Sequence, residues 1–310
     1  MAIDTHAPRL DETGRHRRLR LRRRGSARWS GRPGVRARWA KNAGWYIFLT
    51  ALSLLVLYPI WMTIVRAIST PLPYIDEGQP LWWVRPQWDI FWRAFTLGDM
   101  GRAFFISAIM TTVIVVAQVL TSVLAAYAFA FLEFPLKRLM FVVVIATLML
   151  PIEVTLIANV KTIREVAWLG VDSIQSLSAP FLATAFGIFL IRQGFMGVPK
   201  DLRDAATLDG FGHMGFLWRV AVPVARPIIA SFIVVSFLSA WNQYTWPRAV
   251  TETSSWNTVQ IALREVSTTR VDQLNIGFAA AIVAALPILA ILIIFQRHLI
   301  RGLTAGAVKG

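Results

Sequence analysis

Six blocks of roughly 20 mostly apolar, nearly uncharged residues recur along this chain of 310 residues, and they constrain its fold more than any other feature. They occupy residues 45–65, 103–132, 139–160, 173–191, 227–247 and 274–296. A block of that length spans the hydrocarbon core of a bilayer, where backbone N–H and C=O groups find no water. Only a helix satisfies them within one segment. The expectation is an all-α membrane protein with six transmembrane helices. The second block is longer than a bilayer needs and is expected to tilt or extend. The third carries Pro151, which frees a carbonyl and can kink the span.

Charge sets the orientation. The chain is 56% hydrophobic yet has a net charge of +15, with its basic residues confined between the apolar blocks and at the ends. The N-terminal tail, the Lys137-Arg138 turn, the stretch 192–226 and the C-terminal tail together hold 23 of the 32 basic residues. The intervening segments hold 9. The excess of Lys and Arg places the first set, and both termini, in the cytoplasm of a multi-pass plasma-membrane protein. Residues 1–44 contain 13 basic residues and few large apolar ones, so they read as a disordered tail that meets anionic lipid. Charge alone would also suit a nucleic-acid arm, but nucleic acid is not taken as a partner. The outer segment 69–100 is rich in Trp and Pro and reads as an irregular cap at the membrane surface.

Several chemistries are absent. There is no cysteine, hence no disulfide or thiolate metal site, and the four histidines are scattered, so no metal is expected. No phosphate-binding loop, His-Glu-x-x-His element or Gly-x-Ser-x-Gly element occurs. The chain is therefore not expected to be an enzyme or to bind a cofactor. If ATP drives it, another chain holds the ATP and Mg.

Polar residues inside or beside the blocks are the candidates for a solute route. Glu153 follows Pro151, and an acid at membrane depth faces a cavity, a partner or the interface. The fifth block ends in Trp241, Asn242, Gln243 and Tyr244, followed by Trp246-Pro247. Aromatic faces beside amides suit a polyhydroxylated solute, and they equally suit an interfacial aromatic belt. Gln118 and Asn159 are weaker and serve as well to hydrogen-bond between helices, and Arg248 and Arg264 are the cations placed at the outer mouth.

The stretch 198–223 is a polar, helix-forming island between the fourth and fifth blocks. Pro199 fits the start of a helix, and Leu202, Ala205, Ala206 and Asp209 then share one face. Gly210 and Gly212 break it, and a second short helix with Met214, Leu217 and Trp218 on a common face runs to Pro223. The pattern suits a docking element or an unpartnered amphipathic loop.

Its spacing carries a resemblance. Asp204-Ala205-Ala206, three residues, Gly210, nine residues, Val220-Ala-Val-Pro223 resembles the cytoplasmic signature of ABC-importer permeases, with Asp209 before the glycine. Asp204 stands where that signature has Glu, and Val220 and Val222 where it has Ile and Leu. The stretches 125–135, 149–151, 189–195 and 302–310 look like the carbohydrate-type, maltose-like permeases. The 241–247 and 132–135 stretches are further similar to permeases of the sn-glycerol 3-phosphate type, although many sugar permeases share the former.

The resemblance implies a type I importer permease fold over residues 45–300, with a cytoplasmic coupling loop at 195–226 and a C-terminal tail at 301–310. It implies a homologous second permease, two ATP-binding subunits and an extracytoplasmic solute-binding protein as partners. Asp204, Ala205, Ala206, Asp209, Gly210 and Pro223 would then couple to the ATPase. Gly210 would let the chain bend where a side chain obstructs close docking. Asp204, one methylene shorter than Glu, would need any cationic partner closer in. The solute would be a glycerol phosphate, a glycerophosphodiester or a sugar. A stand-alone secondary transporter and a membrane anchor with a lipid-binding tail are the alternatives from other classes.

Overall fold

A computed structural model describes residues 35–96, 99–166, 168–267 and 271–304. The chain forms two compact units, residues 1–56 and 57–310. The described part of the first is the start of helix α1 (Val35–Ile68). The second continues through α2 (Pro71–Asp76), α3 (Ile90–Thr96), α4 (Met100–Phe131), α5 (Lys137–Ala146), α6 (Ile152–Glu165), α7 (Ile174–Ser178) and α8 (Ala185–Met196). There follow α9 (Lys200–Leu208), α10 (His213–Phe216), α11 (Val222–Val224), α12 (Arg226–Trp241), α13 (Thr245–Val250), α14 (Val259–Ser267) and α15 (Leu274–Thr304). No strand occurs among the described residues.

Three spans are continuous: Asn42–Ile68, Met100–Phe131 and Leu274–Arg297. The other three are bent pairs, of which the sequence signalled only the kink at Pro151. The third span turns by 99° between Lys137–Met149 and Glu153–Glu165. Leu150 and Pro151 are both extended there, because a proline disfavours helical geometry in the residue before it and has no N–H to continue the ladder. The fourth span bends by 51° after Phe181, and the fifth by 79° between His213–Val224 and Arg226–Trp241. The fifth also stops at Trp241, short of Pro247, and the chain turns into α13.

The expected tail boundary at 44 falls inside α1, and α15 continues past residue 300 to Thr304. Residues 1–34 and 305–310, which hold most of the basic tail and the end of the C-terminal tail, lie outside the described residues.

Helix α4 is the hub of the second unit: α8 and α12 pack on it, and α15 packs on α12. Small residues allow the close approach. A Cβ on Gly187 of α8 would lie 2.3 Å from Ser122 Oγ of α4 and 2.4 Å from Phe232 Cζ of α12. Only a glycine lets the three helices meet there. One polar bridge joins the same layer. Gln118 Nε2 donates to the Phe181 carbonyl at 2.8 Å, and the Ser236 hydroxyl donates to Gln118 Oε1 at 2.7 Å. Gln118 is thus an interhelical connector. Buried apolar residues line both ends of α4: Met100 and Ala103 with Ile276 and Ala280 at one, and Ala126 and Tyr127 with Ile191, Phe195 and Phe232 at the other.

Candidate functional site

The second end of α4 positions the island. Pro199 is extended at the N-cap and α9 begins one residue later, at Lys200. The helix ends in a left-handed turn in which Gly210, at φ +76°, donates its N–H to the Thr207 carbonyl at 3.1 Å. Phe211 donates to the Ala206 carbonyl at 2.9 Å. This pair of bonds is the Schellman closure, whose αL residue is glycine because a Cβ is unfavourable at that φ. No atom lies within 4 Å of the Cβ position of Gly210, so within the chain its requirement is conformational, not spatial. Gly212 has an ordinary φ of −71° and caps α10.

Ala206 is buried with Phe216, Leu217 and Phe195 and pins α9 to the bundle, while Asp204, Ala205 and Asp209 are exposed. Asp204 and Asp209 make no ion pair among the described residues. Beside them Leu208 is 90% exposed, and Met214 and Trp218 project outward as well. Leu217 does not join that face; it is fully buried. The reason is a π-helical turn over Leu217–Ala221, in which the Val222 N–H reaches back to the Leu217 carbonyl. The wider turn sets Phe216, Leu217 and Ala221 against the bundle together. Half-buried Pro223 follows directly: its ring would strike the carbonyl four residues back in a regular helix, and the widened turn relieves that clash. Further ties hold the element in place. The Tyr127 hydroxyl and His213 Nδ1 share a hydrogen bond at 3.1 Å, and the Arg219 guanidinium lies 5.0 Å from the Phe211 ring centroid.

The route residues divide. Trp241 is buried, its Nε1–H donates to the Ala284 carbonyl at 3.0 Å, and its faces are covered by stacked Phe237 and edge-on Phe104. It packs the core and offers no open face to a solute here. Asn242 is exposed just beyond the end of α12, and Gln260 Nε2 approaches its Oδ1 at 3.3 Å. Gln243 Oε1 is buried with no hydrogen-bond partner, an acceptor left open. Tyr244 is half-buried, with the Arg264 guanidinium 5.4 Å from its ring centroid. Glu153 stands at the break between the two halves of the third span. It is exposed in the first turn of α6, where the helix dipole favours a carboxylate.

The sequence profile of the family described as "Binding-protein-dependent transport system inner membrane component" matches residues 118–305. This chain belongs to that family. The permease is 33% identical over 262 residues to the sn-glycerol-3-phosphate transport system permease protein UgpE of Yersinia enterocolitica, covering 81% of this chain and 91% of that protein. It is 30% identical to the UgpE protein of Rhizobium meliloti, with the same coverage of each. Its fold is similar to a chain of a bacterial ABC transporter involved in the import of the acidic polysaccharide alginate. The TM-score is 0.72 at 19% identity, over 84% of this chain and 97% of that one. A second alginate transporter structure, in complex with a pentasaccharide-bound periplasmic protein, gives a TM-score of 0.57 at 14% identity.

In the permease, Leu208 and Gln260, which sequence reasoning passed over, belong with the candidates. Leu208 extends the exposed apolar face at the Schellman turn, and an apolar residue beside Asp209-Gly210 was its only signal. Gln260 reaches the 242–244 strip from α14, a helix some 20 residues away in sequence that the fold brings near, together with Arg264, which sequence had already placed at that mouth. The Arg248 side chain, which sequence placed at the same mouth, is exposed on α13.

Proposed function

We propose that this chain is the permease subunit of an ATP-driven importer of sn-glycerol 3-phosphate or a related glycerophosphodiester. It works with a homologous second permease, two ATPase subunits that bind ATP and Mg, and an external solute-binding protein. The observation that carries the reading is the island 200–224. It is a stiff, closed element with exposed Asp204, Ala205, Leu208, Met214 and Trp218 on one side and Ala206, Phe216 and Leu217 anchored in the bundle on the other. An ATPase that closes on ATP transmits movement only through an element that does not bend between its dock and the helices it drives. The island leads directly into α12, which carries Trp241 and the polar strip after it, so displacement at the dock reaches the outer end of the span. By charge bias, the island and both termini lie on the cytoplasmic side.

The names of the curated relatives support a phosphate-bearing solute, and so does Arg264 beside Tyr244, Asn242 and Gln243. Glu153 is a weaker member of the route. The test is uptake of labelled sn-glycerol 3-phosphate by cells carrying the whole importer. Gly210→Pro should leave the complex in the membrane, abolish uptake and uncouple ATP hydrolysis. Normal uptake in that variant would remove the coupling assignment, and uptake that needs no ATPase subunit would make the chain a secondary transporter.

A further inference from the structure

A basic cavity of about 480 Å³ opens beside the turn that joins α4 to α5. Lys137, Arg138 and Phe141 of α5 line it, with Phe129 and Glu133 from the end of α4 and Arg192 from α8. Arg192 is held ready: its Nε–H donates to the Phe129 carbonyl at 3.1 Å, and its guanidinium lies 4.3 Å from the Phe141 ring centroid. No carboxylate pairs with it or with exposed Arg138 among the described residues. Lys137 is already engaged, donating to the Leu132 carbonyl at 2.6 Å with Glu133 at 3.6 Å. Three cations therefore face one carboxylate. The N-terminus of α5, a ten-residue helix with no side-chain cap, adds its partial positive charge.

A second observation identifies the ligand. Directly after these cations, Leu139, Met140, Val142 and Val143 of α5, with Leu136 before it, are all exposed by half or more. The residues at 136, 139, 140 and 143 recur at i, i+3, i+4 and i+7, one stripe running from the cavity into the span. A soluble phosphate would use the cations alone. An amphiphile uses both the cations and the stripe.

We propose that this cavity binds the headgroup phosphate of an anionic phospholipid, in the leaflet on the side of the coupling island, with its acyl chains along the exposed face of α5. Arg192 lies four residues before the end of α8, and the island begins just beyond that end, so the lipid would brace the base of that element. The proposal needs only that the chain spans a membrane and stands apart from the choice of solute.

The test uses the assembled importer in nanodiscs of phosphatidylcholine with a minor fraction of phosphatidylglycerol, with retained lipids counted by native mass spectrometry. The wild type should retain phosphatidylglycerol selectively. Arg138→Gln with Arg192→Gln should lower that retention about fivefold for each cation removed. Arg138→Glu alone should also lower it; Arg138 makes no contact that holds the fold, so this variant serves if the double variant fails to assemble. Lys161→Gln, on α6 and paired with Glu165, should change nothing. Equal retention in the wild type and the Arg138→Glu variant would overturn the proposal. So would displacement of the lipid by millimolar inorganic phosphate or sn-glycerol 3-phosphate, which would assign the cations to a soluble anion.

Discussion

The backbone N–H of Phe211 donates to the carbonyl of Ala206 at 2.9 Å, and the side chains of the same two residues meet in one buried cluster. One residue pair thus closes α9 and ties it to the bundle. The arrangement exists because Gly210, between them, takes a φ of +76°.

That dependence predicts an order among substitutions at one position. Gly210→Asn should be tolerated best, because Asn visits the left-handed region most readily of the non-glycine residues. Gly210→Ala should cost about 1 kcal/mol, and Gly210→Pro, which also loses the N–H to Thr207, several-fold more. Uptake rates following Asn, then Ala, then Pro would match a conformational requirement. Equal loss in all three would point to close contact with another subunit.

Leu208 should report docking without reporting stability. At 90% exposure it contributes little to the fold, so Leu208→Asp should leave the melting temperature within about 0.5 kcal/mol equivalent of the wild type. The ATPase subunits should nevertheless co-purify poorly with it. Asp204→Ala should weaken the same association, with no effect on membrane insertion.

At Gly187 the expectation is reversed. Gly187→Ala places a methyl group within 2.4 Å of Ser122 Oγ and Phe232 Cζ, and overpacking of this kind costs about 1–3 kcal/mol. The purified permease should melt earlier. Combining it with Phe232→Leu should recover part of the loss, since neighbouring sites that share a clash are not additive.

The polar strip and Trp241 should separate kinetically. Trp241→Ala removes a fully packed ring and its hydrogen bond to the Ala284 carbonyl, a loss of about 3–5 kcal/mol that should appear as poor accumulation of the protein. Gln243→Ala removes an acceptor that has no partner in the fold, so the complex should assemble and half-saturation for solute should change. Arg264→Gln should raise half-saturation for sn-glycerol 3-phosphate more than for an uncharged glycerol analogue.

A control comes from an exposed ion pair. Arg164 and Glu252 form an exposed ion pair at 3.1 Å, and Arg164→Ala should alter stability by less than about 0.5 kcal/mol. Asp172, whose carboxylate accepts the N–H groups of Glu252 and Thr253, should matter more. Asp172→Ala should speed hydrogen exchange at those two amides.

The sequence by itself determined the number and place of the membrane-crossing blocks, because hydrocarbon leaves a backbone no other way to satisfy its polar groups. It determined the local form of the 204–223 stretch for a similar reason: that spacing is a matter of one helix, one left-handed turn and one proline. Tertiary structure decided everything that depends on what lies opposite a residue. Trp241 reads by type as a solute face or a belt residue and Leu217 by period as sharing a face with Met214 and Trp218; both are buried, one beneath Phe104 and Phe237 and the other by a π turn that no 3.6-residue pattern encodes. Pro151 announced a kink, but the 99° turn came from Leu150 and Pro151 both taking extended geometry. Gly187 looks like any glycine in an apolar run until Ser122 and Phe232 arrive from helices 65 and 45 residues away. Local backbone chemistry is written along the chain, whereas which faces are covered is settled only when distant segments pack.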